Sequence, residues 1–186
     1  MENHLPFKWS SKEAGVAILI SDKLKFILET VVRDEEGYYI ILKGSIQGKD
    51  PRTIMNINAP NVGAAKYNNQ LITKVKTYLD NNTLILGDIN MAISAKHRSK
   101  HNITKETRVL NDTLDQMDFT DIYRILHPNA TEYTFFSSAH GTFSRIDHIL
   151  GHKSGLNQYQ KIGIVPCIYS DHNAMKLELN HKKNFE

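Results

Sequence analysis

The stretch from Thr83 to Asn90, TLILGDIN, runs a short apolar segment directly into a Gly-Asp-x-Asn ending. Thr83 to Leu86 is brief and almost wholly apolar, the pattern of a buried strand, and Gly87 marks its end. Side chains two apart on a strand point the same way, so Asp88 and Asn90 can project together from that end. Two readings of the pair stay open. An ionised carboxylate at the end of a buried strand needs a partner, and a hard cation or an activated water would serve. Alternatively, Asp88 and Asn90 close a turn after the strand.

Upstream, Tyr67, Leu71, Val75 and Tyr78/Leu79 recur at helical spacing, so a helix over Tyr67 to Leu79 feeds the strand. Thr53 to Asn58 alternates, with Ile54, Asn56 and Asn58 on one face and Met55 and Ile57 on the other. It stops at Ala59-Pro60-Asn61, where proline lacks a ladder donor. Gly15 to Ile20 and Tyr38 to Lys43 are nearly continuous apolar runs closed by turn formers, and both read as buried strands. Downstream, Leu110, Leu114 and Met117 place a helix over Lys105 to Met117. Shorter apolar runs follow at Asp121 to Tyr123, Tyr133 to Phe136, Ile146 to Leu150, Ile162 to Tyr169 and Ala174 to Leu179. Strands clustered toward both ends with helices between them predict an α/β fold of two packed sheets with helices outside.

Two further segments hold chemistry-bearing residues. Ser144 to Ile149, SRIDHI, sets Asp147 within an apolar strand, where an unpaired acid would be costly. Tyr169 to His172, YSDH, ends another run with an acid beside an imidazole. If Asp147 reaches His172, the pair makes an oriented imidazolium, suited to stabilising negative charge on a phosphate. Taken alone, a Ser-Asp-His tripeptide is more often a capped turn than a catalytic element.

The composition restricts the setting. A chain of 186 residues with 40% hydrophobic content is long enough for one domain with a sizeable core. A formal charge of +3 suits a polyanionic partner without being a dense basic tail. The single cysteine, Cys167, leaves no internal disulfide, and Met1 to Lys12 has no apolar leader run. No apolar run approaches the roughly 20 residues that span a bilayer. The expectation is a nuclear or cytoplasmic protein with no membrane partner, divided into a leader at 1–12, a domain at 13–180 and a tail at 181–186.

The motifs occur in one order: Gly87-Asp-x-Asn90, Tyr133-Thr-Phe-Phe136, Arg145-Ile-Asp-His-Ile149 and Ser170-Asp-His172. In that order and context the chain resembles the endonuclease/exonuclease/phosphatase superfamily, most closely the endonuclease domain of mammalian LINE retrotransposons. The segments starting at Ala14, Arg33, Lys43, Ala59, Asp121 and Thr131 share the resemblance.

The resemblance implies a four-layer α/β sandwich of two mixed sheets flanked by helices, and hydrolysis of a DNA phosphodiester with Mg²⁺ or Mn²⁺. It makes Asp88 the residue that orients or deprotonates the attacking water, with Asn90 beside it for phosphate or metal. Asp147 becomes the acid that orients His172, and His172 the group that contacts the scissile phosphate. Asp171 is implied in metal binding or leaving-group protonation, so the implied metal set is Asp88, Asn90, Asp171 and His172. Arg98, Thr134 and Ile146 match positions that touch DNA, with Asn61 and Ser170 supporting them.

Two departures accompany these matches. The family opens with a strand bearing a metal-site Asn and a later strand bearing a Glu ligand, and the chain is expected to start after both. Its first strands and helix would then be missing, its metal site incomplete, and an uncovered sheet edge open to self-association. Asn58 also stands where the family has a phosphate-contacting tyrosine. The expected function is DNA nicking of the retrotransposon type, impaired by the missing segment. The alternatives are an inactive relic with weak DNA binding and a phosphomonoesterase of the same superfamily.

Overall fold

A computed structural model describes residues 15–48, 50–93 and 104–180. In chain order these form strands β1 (Phe26–Arg33), β2 (Tyr39–Ile46) and β3 (Asp50–Asn58), helix α1 (Ala64–Val75), strand β4 (Thr83–Asp88) and helix α2 (Lys105–Gln116). Strand β5 (Phe119–Asp121), helix α3 (Ile122–Leu126), and strands β6 (Phe135–Ser137), β7 (Thr142–Ser144), β8 (Asp147–His152), β9 (Tyr159–Val165) and β10 (Ala174–Leu179) follow. The centre is a mixed six-stranded sheet in the order β1-β2-β3-β4-β8-β5. β3 and β4 are parallel, and α1 makes the crossover that a parallel pair requires.

The sheet's register decides what each face packs against. Ile41, Met55, Ile85 and Leu150 align across four strands. They form one core with Leu71, Ile72 and Val75 of α1 and Leu110 and Leu114 of α2. One residue along, Leu84 and Ile149 face the other way and pack with Ile122 and Tyr123 of α3 and Tyr159 and Ile162 at β9. Each fully buried aliphatic side chain contributes about 1.5–3 kcal/mol, so both cores resist a one-residue slip of register. Thr104 caps α2, its side chain accepting from the Thr107 amide.

This is the expected α/β class, with α1 and α2 on one face of the large sheet and α3 with β9 on the other. Beside it the described residues form two antiparallel pairs, β9–β10 and β6–β7, each smaller than the second mixed sheet anticipated. Gly15 to Ile20, expected as a buried strand, forms none: Leu19 is 95% exposed. A ladder needs a partner edge as well as β propensity, and the tie seen here is one side-chain bond, Asn56 Nδ2 to the Ala17 carbonyl at 3.0 Å. β1 was not anticipated. It is an edge strand with Ile27 and Leu28 half exposed, so it lacks the buried apolar pattern of its neighbour. Asp121 to Tyr123 is not one strand either. The Asp121 side chain accepts from the Arg124 amide at 3.3 Å and turns the chain into α3.

Residues 1–12 and 181–186 lie outside the described residues. Among the described residues no helix is long and apolar enough to cross a membrane.

Candidate active site

Register brings three polar residues into one row at the end of the large sheet. Asn58 of β3 pairs with Asp88 of β4, which pairs with Asp147 of β8. Gly87 makes the row possible. It adopts φ +119°, and a Cβ there would lie 2.1 Å from the Ile57 carbonyl oxygen, so a larger residue would force β3 and β4 apart just before Asp88.

The loops at this end are tied to one another. Asp88 Oδ1 accepts from the Asn90 amide at 2.8 Å, and Asn90 holds a left-handed conformation at φ 53° that asparagine tolerates. The motif is therefore a turn, and the turn places Asp88 at the end of the row. Asn90 Nδ2 donates to the Ala59 carbonyl at 3.1 Å and to Asn61 Oδ1 at 2.6 Å. The Ala59-Pro60-Asn61 loop is thereby fixed beside β4.

The second half of the site rests on Thr134. Its hydroxyl oxygen accepts from the amides of Ile146 and Asp147 at 3.3 and 3.2 Å, and its carbonyl accepts from the Asn173 amide at 2.7 Å. One buried residue thus positions both Asp147 and the loop that carries His172. That loop places His172 Nδ1 2.9 Å from Asp147 Oδ2, and Phe135 lies against the ring at 4.8 Å between centroids. His172 Nε2 is left facing Asp88 Oδ2 across 3.9 Å.

Electrostatics at the row are uneven. Burial pushes the Asp88 carboxyl above its usual range, the Asp147 charge adds to the rise, and the Asn90 amide and His172 oppose it. Asp88, Asp147 and His172 each offer a ligand atom within 4.8 Å of the others. The donor set fits a hard divalent cation. Asp88 Oδ2 and Asp147 Oδ1 make no hydrogen bond shorter than 3.5 Å in the described structure, and a cation would offset the repulsion between the two carboxylates. Asp171, expected among the ligands, lies outside that group: it is exposed, 3.5 Å from Ser170 Oγ. Asn90 sits beside Asp88 with its amide nitrogen committed to Ala59 and Asn61.

The expected DNA contacts are placed variously. Thr134 is 0% exposed and Ile146 6%, so both support the site from beneath instead of presenting side chains to a groove. Asn61 and Ser170 are exposed at the site, Ser170 Oγ accepting from the His172 amide at 3.1 Å. Arg98 lies outside the described residues.

One cluster escaped the sequence reading. Asp121 Oδ2 lies 2.7 Å from Arg145 Nη2 and 3.0 Å from His148 Nδ1, and His148 Nε2 lies 3.1 Å from the carbonyls of Met91 and Arg145. The Arg145 guanidinium stacks on the Tyr123 ring at 4.4 Å, and burial pulls its pKa down to about 10. Tyr123 in turn donates to Glu132. The available signal was the pairing of Arg145 and His148 around Asp147 in an apolar stretch, although nothing in it pointed to Asp121.

No family model matches the chain. Several solved structures do. An AP endonuclease from Archaeoglobus fulgidus aligns with a TM-score of 0.66 and 17% identity over 84% of this chain and 72% of that one. A 3′ phosphatase, NExo, from Neisseria bound to a product DNA hairpin gives 0.66 and 18% over 84% and 72%. The endonuclease domain of TRAS1, a telomere-specific non-LTR retrotransposon, gives 0.65 and 15% over 84% and 70%. The chain has the fold of these neighbours.

Proposed function

We propose that this protein hydrolyses phosphodiester bonds in DNA with a divalent cation, Mg²⁺ or Mn²⁺, nicking in the manner of a retrotransposon endonuclease. The observation behind the proposal is the Asp147–His172–Asp88 line, in which a carboxylate orients an imidazole at 2.9 Å and its other nitrogen faces a second carboxylate at 3.9 Å. In this reading Asp147 fixes the ring so that His172 Nε2 donates to an oxygen of the scissile phosphate. Asp88 accepts a proton from the attacking water, a task its raised pKa suits. Asp171, exposed beside His172, is assigned to the cation or to the leaving oxygen. Asn90 and Asn61 hold the loop facing the phosphate, and Ser170 keeps the His172 backbone in place. Asp88 and Asp147 would hold the cation, which when bound would neutralise charge on the phosphate. The TRAS1 likeness and the shared motifs support the retrotransposon assignment.

A supercoiled plasmid incubated with Mg²⁺ is expected to become nicked by the unaltered chain, and Asp88→Ala or His172→Ala to abolish the nicking. No nicking at any divalent concentration, from a folded chain, would overturn the reading. A second reading is removal of a terminal phosphate from DNA, favoured by the fold shared with a 3′ phosphatase. Release of phosphate from a 3′-phosphorylated oligonucleotide, without internal cleavage, would select it.

A further inference from the structure

We propose that Ile168 and Tyr169 form a stacking tip that takes an unstacked nucleobase near the phosphodiester engaged by His172, a proposal that rests on the nuclease reading above. Tyr169 is 93% exposed and Ile168 87%, side by side in the segment between β9 and β10. Single exposed apolar residues are ordinary on a protein surface. These two differ in where they stand and how they are held.

The chain is fastened on both sides of them. Before the tip, the Cys167 amide donates to Asn173 Oδ1 at 3.1 Å. After it, the His172 amide donates to Ser170 Oγ at 3.1 Å, and the Asp171 carbonyl accepts from the Phe136 amide at 3.2 Å. The Asn173 amide then bonds the Thr134 carbonyl, the same residue that positions Asp147. The tip is therefore presented by the backbone that aims the imidazole.

Reach and chemistry agree with a base as the occupant. Tyr169 and His172 lie three residue steps apart, a span of at most about 10 Å, so a phosphate at His172 leaves the tip within about three nucleotides along the strand. Every base has a π face that a tyrosine ring can stack on without reading sequence, and a neighbouring aliphatic side chain can wedge into the step. Such a tip favours DNA whose bases unstack easily, at flexible or mismatched steps.

The test compares the binding of the full chain to a duplex with one mismatch and to its fully paired counterpart, by fluorescence anisotropy. Hydrolysis of bis(p-nitrophenyl) phosphate, which has no base, is followed in parallel. The unaltered chain and Tyr169→Phe should prefer the mismatched duplex by about tenfold, and Tyr169→Ala should lose that preference while hydrolysing the base-free diester at an unchanged rate. Ile168→Ala should reduce the preference partly. A preference equal in Tyr169→Ala and the unaltered chain, or absent from both, overturns the tip. If base-free hydrolysis and plasmid nicking persist, the tip alone falls; if they are also absent, the nuclease reading falls with it.

Discussion

Asp147 and His148 are consecutive residues of one strand, and each belongs to an aspartate–imidazole pair. Asp147 holds His172 at 2.9 Å, and Asp121 holds His148 at 3.0 Å. Their surroundings are opposite. The Asp121 and His148 side chains are 6% and 0% exposed, with Arg145 on the same carboxylate oxygen and backbone carbonyls on the far ring nitrogen. The Asp147 and His172 side chains are 19% and 31% exposed, and the far nitrogen of His172 faces Asp88 across a gap. The same pairing therefore serves two ends. Where every donor and acceptor is engaged within the protein, the pair fixes structure; where one nitrogen is left toward solvent, it is available for chemistry. Strand alternation produces the difference, because neighbours on β8 point to opposite faces.

The comparison breaks first at activity. His172→Ala and Asp88→Ala are expected to lower the nicking rate by about 10²–10⁴-fold while leaving the melting temperature nearly unchanged. Comparable nicking by either variant would make the open pair as inert as the buried one. Stability should respond in the opposite sense. Removing one partner of a buried ion pair leaves the other uncompensated, so Arg145→Met is expected to cost about 3–5 kcal/mol, roughly 10 °C in thermal unfolding. A shift of a degree or less would mean that the buried cluster does not stabilise the fold.

Thr134→Val sharpens the link between the two regions. It keeps the side chain's shape and removes an oxygen that accepts two amides, at an expected cost of about 1–2 kcal/mol. Nicking should fall with it, because Asp147 and the His172 loop share that anchor. Stability lost without any change in rate would deny Thr134 a positioning role.

The smallest effect concerns pH. The Asp88 pKa is raised in the fold, so its ionised form is disfavoured there. The resulting penalty is absent where both folded and unfolded forms are protonated, and it grows as pH rises toward and through the raised pKa. Asp88→Asn removes the penalty. It should therefore raise the melting temperature by about 1–2 °C at pH 8 and not at pH 3, while abolishing nicking. Equal shifts at both values would contradict the assigned cause.

Much of this contrast could be read before the structure, and its two halves were not equally legible. The strands at β2 and β4 announced themselves through nearly continuous apolar runs that are largely buried, and β3, β10 and helix α2 through apolar residues at regular spacing along one side. Asp88, Asp147 and His172 stood out because each interrupts or ends an apolar stretch. Asp121, 24 residues from Arg145 and 27 from His148, gave no local sign of its partners, since tertiary packing alone joins them. Gly15 to Ile20 misled in the other direction, as its composition suits a strand while no described strand pairs with it. Thr134 was matched to a DNA contact by position, and burial turns it into a support instead.

The division of labour between the two pairs is tested most directly by single-turnover cleavage of one defined duplex, measured beside thermal unfolding, for His172→Gln and His148→Gln. His172→Gln should abolish cleavage with the melting temperature unmoved, and His148→Gln should lower the melting temperature yet cleave near the unaltered rate below it. Cleavage that survives in His172→Gln, or that vanishes in folded His148→Gln, would contradict the account.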